Sequence, residues 1–153
     1  MKMLTICEHC QLPSTISTTD TIKESVVGYE FAREIPCRVC LICGEKYYRG
    51  TSIAEFELHV AVELALNGIY TAESLKFMRR CMGLTQQEMA LAIGAHGKEY
   101  VDGMEKGLFL PANSVLHLIK ALLLLNSLLN VHPVKLTETD LKQKLNRVES
   151  NYI

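Results

Sequence analysis

Five of the chain's six cysteines fall in two short clusters, "CEHC" at residues 7–10 and "CRVCLIC" at 37–43. No other feature limits the N-terminal architecture as much, because a fold must either gather these thiols or leave them idle. The opening "MKMLTICEHC" has polar residues where a secretory leader needs an apolar run, so a cytoplasmic protein is expected. In a reducing compartment clustered cysteine pairs mark metal rather than disulfides. Two C-x-x-C pairs on separate loops place four thiolates tetrahedrally around a metal ion, with sulfur at about 2.3 Å from zinc. Cys7 and Cys10 form the first pair; the second is Cys37 with Cys40 or Cys40 with Cys43. Gly44 follows Cys43, and a turn wrapping its backbone around a bound sulfur needs the positive φ that glycine adopts freely. Cys37 stands instead between Pro36 and Arg38. The expected ligands are therefore Cys7, Cys10, Cys40 and Cys43, with a set containing Cys37 as the alternative.

A closed set of four thiolates leaves no open coordination position, so a structural Zn2+ is expected, although four thiolates also accept iron. Thioredoxin-like redox chemistry is the rival, but its single C-x-x-C sits beside a βαβ pattern that is missing here. His9 reads as an exposed loop residue, Cys81 as a small core residue and Cys37 as a spare thiol or a solvent-side neighbour of the metal. No nucleophile paired with a base and no phosphate-cradling glycine loop appears, so catalysis is not expected.

A length of 153 residues fits one ordinary domain or two small ones. The net charge of −1 gives no global basic field. The longest apolar stretch, "VLHLIKALLLLNSLLNV", has seventeen residues and carries His117, Lys120, Asn126, Ser127 and Asn130, short of a membrane span. Between the cysteine clusters, partial alternation with Tyr29, Phe31 and Arg33 on one side predicts a small antiparallel sheet, and "KYYRG" predicts a short further strand.

Helices follow. Ser52 with Glu55 reads as a capping box and Gly68 as a C-terminal stop for a connecting helix. Thr71 opens a helix ending near Gly83, and "TQQE" at 85–88 caps another ending near Gly94. "KEYVDGMEKG" gives a third, with Val101 and Met104 inward and Lys98, Glu99, Tyr100, Asp102 and Gly103 outward. A fourth begins after Pro111, capped by Asn113, with Val115, Leu118, Leu122, Leu125 and Leu129 as one stripe and Ala121, Leu124 and Leu128 as another. Two apolar surfaces predict a homodimer. The tail, with Leu136, Leu141, Leu145 and Val148 at helical spacing, could complete that interface.

The layout is that of a helix-turn-helix domain, whose third helix can lie in the DNA major groove. "LKFMRRCMGLTQQEMALAIG", followed by "EKG" and Pro111, resembles the Cro/repressor Xre-type helix-turn-helix. Behind a module ending in "CLICGE", the whole resembles the MqsA-type antitoxin family, in which a YgiT-type zinc finger precedes this domain. Leu84, Thr85, Gln86, Glu88, Ala90, Gly94, Glu105, Gly107 and Pro111 carry the resemblance in one half, and Cys7, Cys10, Cys40, Cys43, Gly44 and Glu45 in the other.

The resemblance implies a mainly α protein with a small β zinc-ribbon-like module over 1–68 and a dimeric helix-turn-helix bundle over 69–153. It implies an autorepressor that binds double-stranded operator DNA and an antitoxin that neutralises a small basic, ribonuclease-like toxin through its zinc module. Gln86, Lys98, Glu99, Tyr100, Gly103 and Lys106 are the expected DNA contacts, with Arg79 and Arg80 behind them. Up to residue 66 there are six Lys/Arg against nine Asp/Glu, and from 67 onward ten against eight, which suits such a division. The third helix offers no outward arginine, asparagine or glutamine to read base edges, and Glu99 and Asp102 oppose a polyanion. An interaction adaptor on a helix-turn-helix scaffold is thus the alternative; a transcription factor outside any toxin system is a third reading.

Overall fold

The structure, a computed structural model, describes residues 4–129. The amphipathic tail from Leu136 to Val148 lies outside the described residues. The chain forms two compact units, divided between Glu57 and Leu58.

The first unit is built on one antiparallel sheet in the order β1 (Thr5–Ile6), β2 (Pro13–Val26), β3 (Tyr29–Cys40), β4 (Lys46–Tyr48). β2 and β3 form an unbroken ladder from Thr15 opposite Cys40 to Val26 opposite Tyr29. Because side chains alternate along a strand, residues directly opposite each other share a face. Thr18, Cys37 and Tyr48 therefore form a row on one face, and Ser17, Arg38 and Tyr47 a row on the other. The first face carries the buried Val26, Ile35 and Cys37. Along the hairpin the second presents Ser17, Thr19, Thr21, Lys23 and Ser25 to solvent, the alternation of an antiparallel sheet covered on one side. The hairpin turns through Val27 and Gly28, with φ of 53° and 77°. Two positive φ values in a two-residue loop make a type I′ turn, which matches strand twist. Lys46 Nζ and Tyr48 OH both reach the Asp20 carboxylate and tie β4 to β2.

α1 (Gly50–Leu66) begins two residues before the expected cap. Ser52 lies inside its first turn, with its N–H donating to the Arg49 carbonyl at 2.9 Å. Its C-terminus behaves as the sequence predicts: Gly68 has φ of 70°, and the Ile69 N–H returns to the Leu64 carbonyl.

The second unit contains α2 (Ala72–Cys81), α3 (Gln86–Ala92), α4 (Lys98–Glu105) and α5 (Asn113–Leu128). Thr71 and Thr85 cap α2 and α3 through reciprocal boxes with Ser74 and Glu88. Leu75, Met78, Met82, Met89, Val101, Met104, Ile119 and Leu123 are fully buried. Arg79 forks onto both carboxylate oxygens of Glu105 and donates to the Leu84 carbonyl at 2.7 Å.

Two expectations for α5 are corrected. Ala112 occupies the cap position without a side-chain hydrogen bond, and Asn113 is the first helical residue. The buried stripe is Leu116, Ile119, Leu122, Leu123 and Asn126, whereas Leu118, Leu128 and Leu129 are exposed. Asn126 is accommodated because its Nδ2 donates to the Leu122 carbonyl at 2.9 Å.

Candidate metal centre

Cys7, Cys10, Cys40 and Cys43 converge so that their four Sγ atoms all lie within 4.8 Å of one another. Cys7 and Cys43 approach to 3.6 Å, as do Cys10 and Cys40. A tetrahedron with ligands at about 2.3 Å has edges of about 3.8 Å, so the donor set fits a tetrahedral metal ion.

Two matched loops build the site. In each, the residue after the second cysteine has positive φ: Gln11 at 60° and Gly44 at 76°. Each donates its N–H to the carbonyl of the first cysteine, at 2.9 Å for Gln11 to Cys7 and 3.0 Å for Gly44 to Cys40. The next ladder bonds also correspond, Cys7 N–H to the Leu12 carbonyl and Cys40 N–H to the Glu45 carbonyl. The same winding turns amides inward: the Cys10 N–H points at Cys7 Sγ, and the Ile42 and Cys43 N–H groups point at Cys40 Sγ at 3.4 Å.

Cys37 takes no part, for a reason legible in the ladder. It lies within β3 three residues before Cys40, and an odd spacing along a strand puts the two side chains on opposite faces. Cys40 and Cys43 are separated by a turn instead, which lets both sulfurs face one point. His9 is exposed and outside the sulfur cluster, and Cys81 is buried.

Side chains around the sulfurs complete the environment. Tyr47 OH donates to Cys7 Sγ at 3.1 Å and accepts the His9 N–H at 3.1 Å. Ser14 Oγ lies 3.0 Å from Cys40 Sγ. Such hydrogen bonds stabilise thiolates. The Cys43 N–H and the Ser14 hydroxyl bring Cys40 down to about 5 from an ordinary 9.0. Cys7 is lowered by the Cys10 N–H and then by Tyr47. Cys43 has the Glu45 amide to lower it, but burial and the sulfurs of Cys40, Cys7 and Cys10 push it up to about 12. Four sulfurs this close do not all ionise at neutral pH by themselves; a cation in their midst would supply the missing compensation. Tyr47 and Ser14 carry no mark in the sequence, since only tertiary pairing brings them to the cysteines.

The residues expected to face DNA are less uniform. Lys98 and Glu99 are exposed at the start of α4, and Lys106 is exposed but ion-paired with Asp102 at 2.6 Å. Gln86 is half-buried, its Nε2 donating to Glu105 at 3.1 Å. Tyr100 is half-buried against Phe109, with ring centroids 4.9 Å apart. Gly103 was expected outward but is buried: a Cβ there would stand 2.8 Å from Phe109 Cε1, because the chain after α4 folds Phe109 back over it. Arg79 is engaged with Glu105, while Arg80 is exposed. Among the described residues no helix is long and apolar enough to cross a membrane. No family model, curated protein or solved structure matches the chain.

Proposed function

We propose that this chain is a zinc-holding autorepressor of antitoxin type, with a structural Zn2+ on Cys7, Cys10, Cys40 and Cys43 and operator DNA on the α3–α4 region. The four-sulfur cluster carries this reading, because a closed thiolate set organises a small module with little apolar mass of its own. α3 and α4 are both short and joined across residues 93–97, with Gly94 at positive φ; glycine is common in the turn of a helix-turn-helix, although this link is a residue longer than the usual three or four. Lys98, and Lys106 after exchanging Asp102 for a phosphate, would position the duplex, and the acidic zinc module would meet a basic ribonuclease-like toxin.

The test is binding of the purified, metal-analysed protein to the DNA upstream of its own gene, against scrambled DNA of equal length, across a salt series. Sequence-dependent binding that weakens with salt supports the repressor. A zinc-loaded, folded protein that ignores its upstream DNA at low salt rejects it.

A second reading, an adaptor that binds proteins rather than DNA, is favoured by one observation. Gln86 and Lys106 already hold the carboxylates of Glu105 and Asp102, Arg79 is engaged with Glu105 and Gly103 is buried, so only Lys98 and Arg80 are exposed cations outside an ion pair among the expected DNA contacts.

A further inference from the structure

A cleft of about 560 Å3 opens in the first unit where β2, β3 and β4 lie side by side. That volume suits a small molecule. Its lining contains no carboxylate, although the surrounding sequence is acidic. It contains two arginines, Arg38 and Arg49, and among the described residues neither has a carboxylate within ion-pair distance. Arg38 spends one N–H on Thr5 Oγ1 at 3.2 Å, which leaves most of its fork available. Ser17, directly opposite Arg38 on the same face, adds an exposed hydroxyl.

Tyr47 and Tyr48 also line the cleft, with their hydroxyls committed to Cys7 and Asp20, but Tyr47 alone of the two lies on the Arg38 face of the sheet. What Tyr47 offers a ligand is ring surface. The Arg38 guanidinium already lies 5.9 Å from the Tyr47 ring centroid, so cation and aromatic surface are side by side. Unpaired guanidinium forks with a hydroxyl donor match the oxygens of a phosphoryl group, which arginine binds in bidentate fashion. Arg49 also immediately precedes α1, whose first turn has no acidic residue to oppose an anion.

From this juxtaposition we infer that the Arg38–Arg49 cleft is a binding site for a phosphate-bearing small molecule, either free phosphate or a mononucleotide whose base lies on the Tyr47 ring. The inference does not rest on the antitoxin reading, and none of the four clustered cysteines lines the cleft, although Tyr47 belongs both to it and to the surroundings of Cys7.

The experiment is an NMR titration of nitrogen-labelled, full-length, metal-loaded protein with inorganic phosphate, adenosine monophosphate and adenosine, at constant ionic strength set with chloride. Phosphate is expected to shift the amides of Ser17, Thr18, Arg38 and Arg49, and adenosine to leave them in place. Monophosphate binding more tightly than phosphate identifies a nucleotide site; equal binding identifies free phosphate. Arg38→Gln and Arg49→Gln, both at exposed positions, are each expected to weaken binding about tenfold with metal content unchanged, as loss of a charge-assisted contact implies. Chloride producing the same shifts, or both variants binding phosphate as well as the original chain, overturns the inference.

Discussion

Gln11 and Gly44 hold the same place in two loops whose only common side chains are cysteines. Both have positive φ, and both return an N–H to the first cysteine's carbonyl. One position has the residue type suited to that backbone and the other does not. Gln11→Gly is expected to stabilise the metal-loaded module by about 1 kcal/mol, and Gly44→Gln to destabilise it by about the same amount. Nothing lies within 4 Å of a Cβ at Gly44, so backbone strain alone sets the cost. Denaturant midpoints of both variants check this; a neutral Gly44→Gln would refute it.

Val27 bears a larger mismatch, being β-branched at φ of 53° in the hairpin turn. Val27→Asn creates the Asn-Gly pair that type I′ turns favour. A gain of about 1 kcal/mol is expected. It would be seen as slower amide exchange across the β2–β3 ladder; unchanged or faster exchange would count against the assigned turn.

Cys37→Ser is expected to leave metal stoichiometry intact, whereas Cys43→Ser lowers it, although both cysteines stand three residues from Cys40. Metal analysis after dialysis separates them. Loss of metal from the Cys37 variant would mean that the strand assignment between residues 37 and 40 is wrong.

The thiols of the metal-free protein should titrate apart. Cys40 ionises near 5, and Cys43 stays protonated to about 12. Because the folded-state value of Cys40 is depressed, its stabilising contribution is full above its ordinary 9.0 and is lost as pH falls towards about 5. Cys43 has the opposite sign: its contribution is full below 9.0 and is lost as pH rises towards about 12. Metal-free stability should therefore rise with pH towards 9.0 and decline beyond it. Thiolate absorbance against pH checks the separation, and a single step near the ordinary value would rule it out. In the metal-loaded protein acidification protonates the ligands and releases the ion.

The side chains of Arg79 and Glu105 are 12% and 3% exposed. Glu105→Ala strands a guanidinium and is expected to cost about 3–5 kcal/mol, while replacing both by apolar residues of similar size costs much less. Thermal unfolding of the single and double variants tests this; equal losses would argue against a desolvated pair.

What the sequence made legible was local. The cysteine set followed from one glycine and the cap at Thr85 from its spacing to Glu88, while Thr71 marked only a helix start, not its Ser74 partner. Ser52 misled because it too has a glutamate three residues on, yet Gly50 and Thr51 extend the helix past it. α5 hid its phase: leucine at every position from 122 to 125 points in all directions, so periodicity could not choose the buried side. Gly103 was misplaced because what covers it, Phe109, arrives from beyond the end of α4. The partners Tyr47 and Ser14 depend on strand pairing across the cysteine loops.

The unbroken β2–β3 ladder also bears on the thermodynamics of chelation. Cys10 and Cys40 are 30 residues apart along the chain, a long ring for an ion to close unaided. The ladder sets Thr15 opposite Cys40, so once the hairpin exists only the short path from Cys10 to Thr15 remains to be fixed. Closing a ring of about five residues instead of about thirty spares roughly 1.6 kcal/mol of chain entropy. The β2–β3 pairing, which ends at Cys40, thus acts as a chelate effect, and weakening the hairpin at its turn should loosen an ion held at its other end.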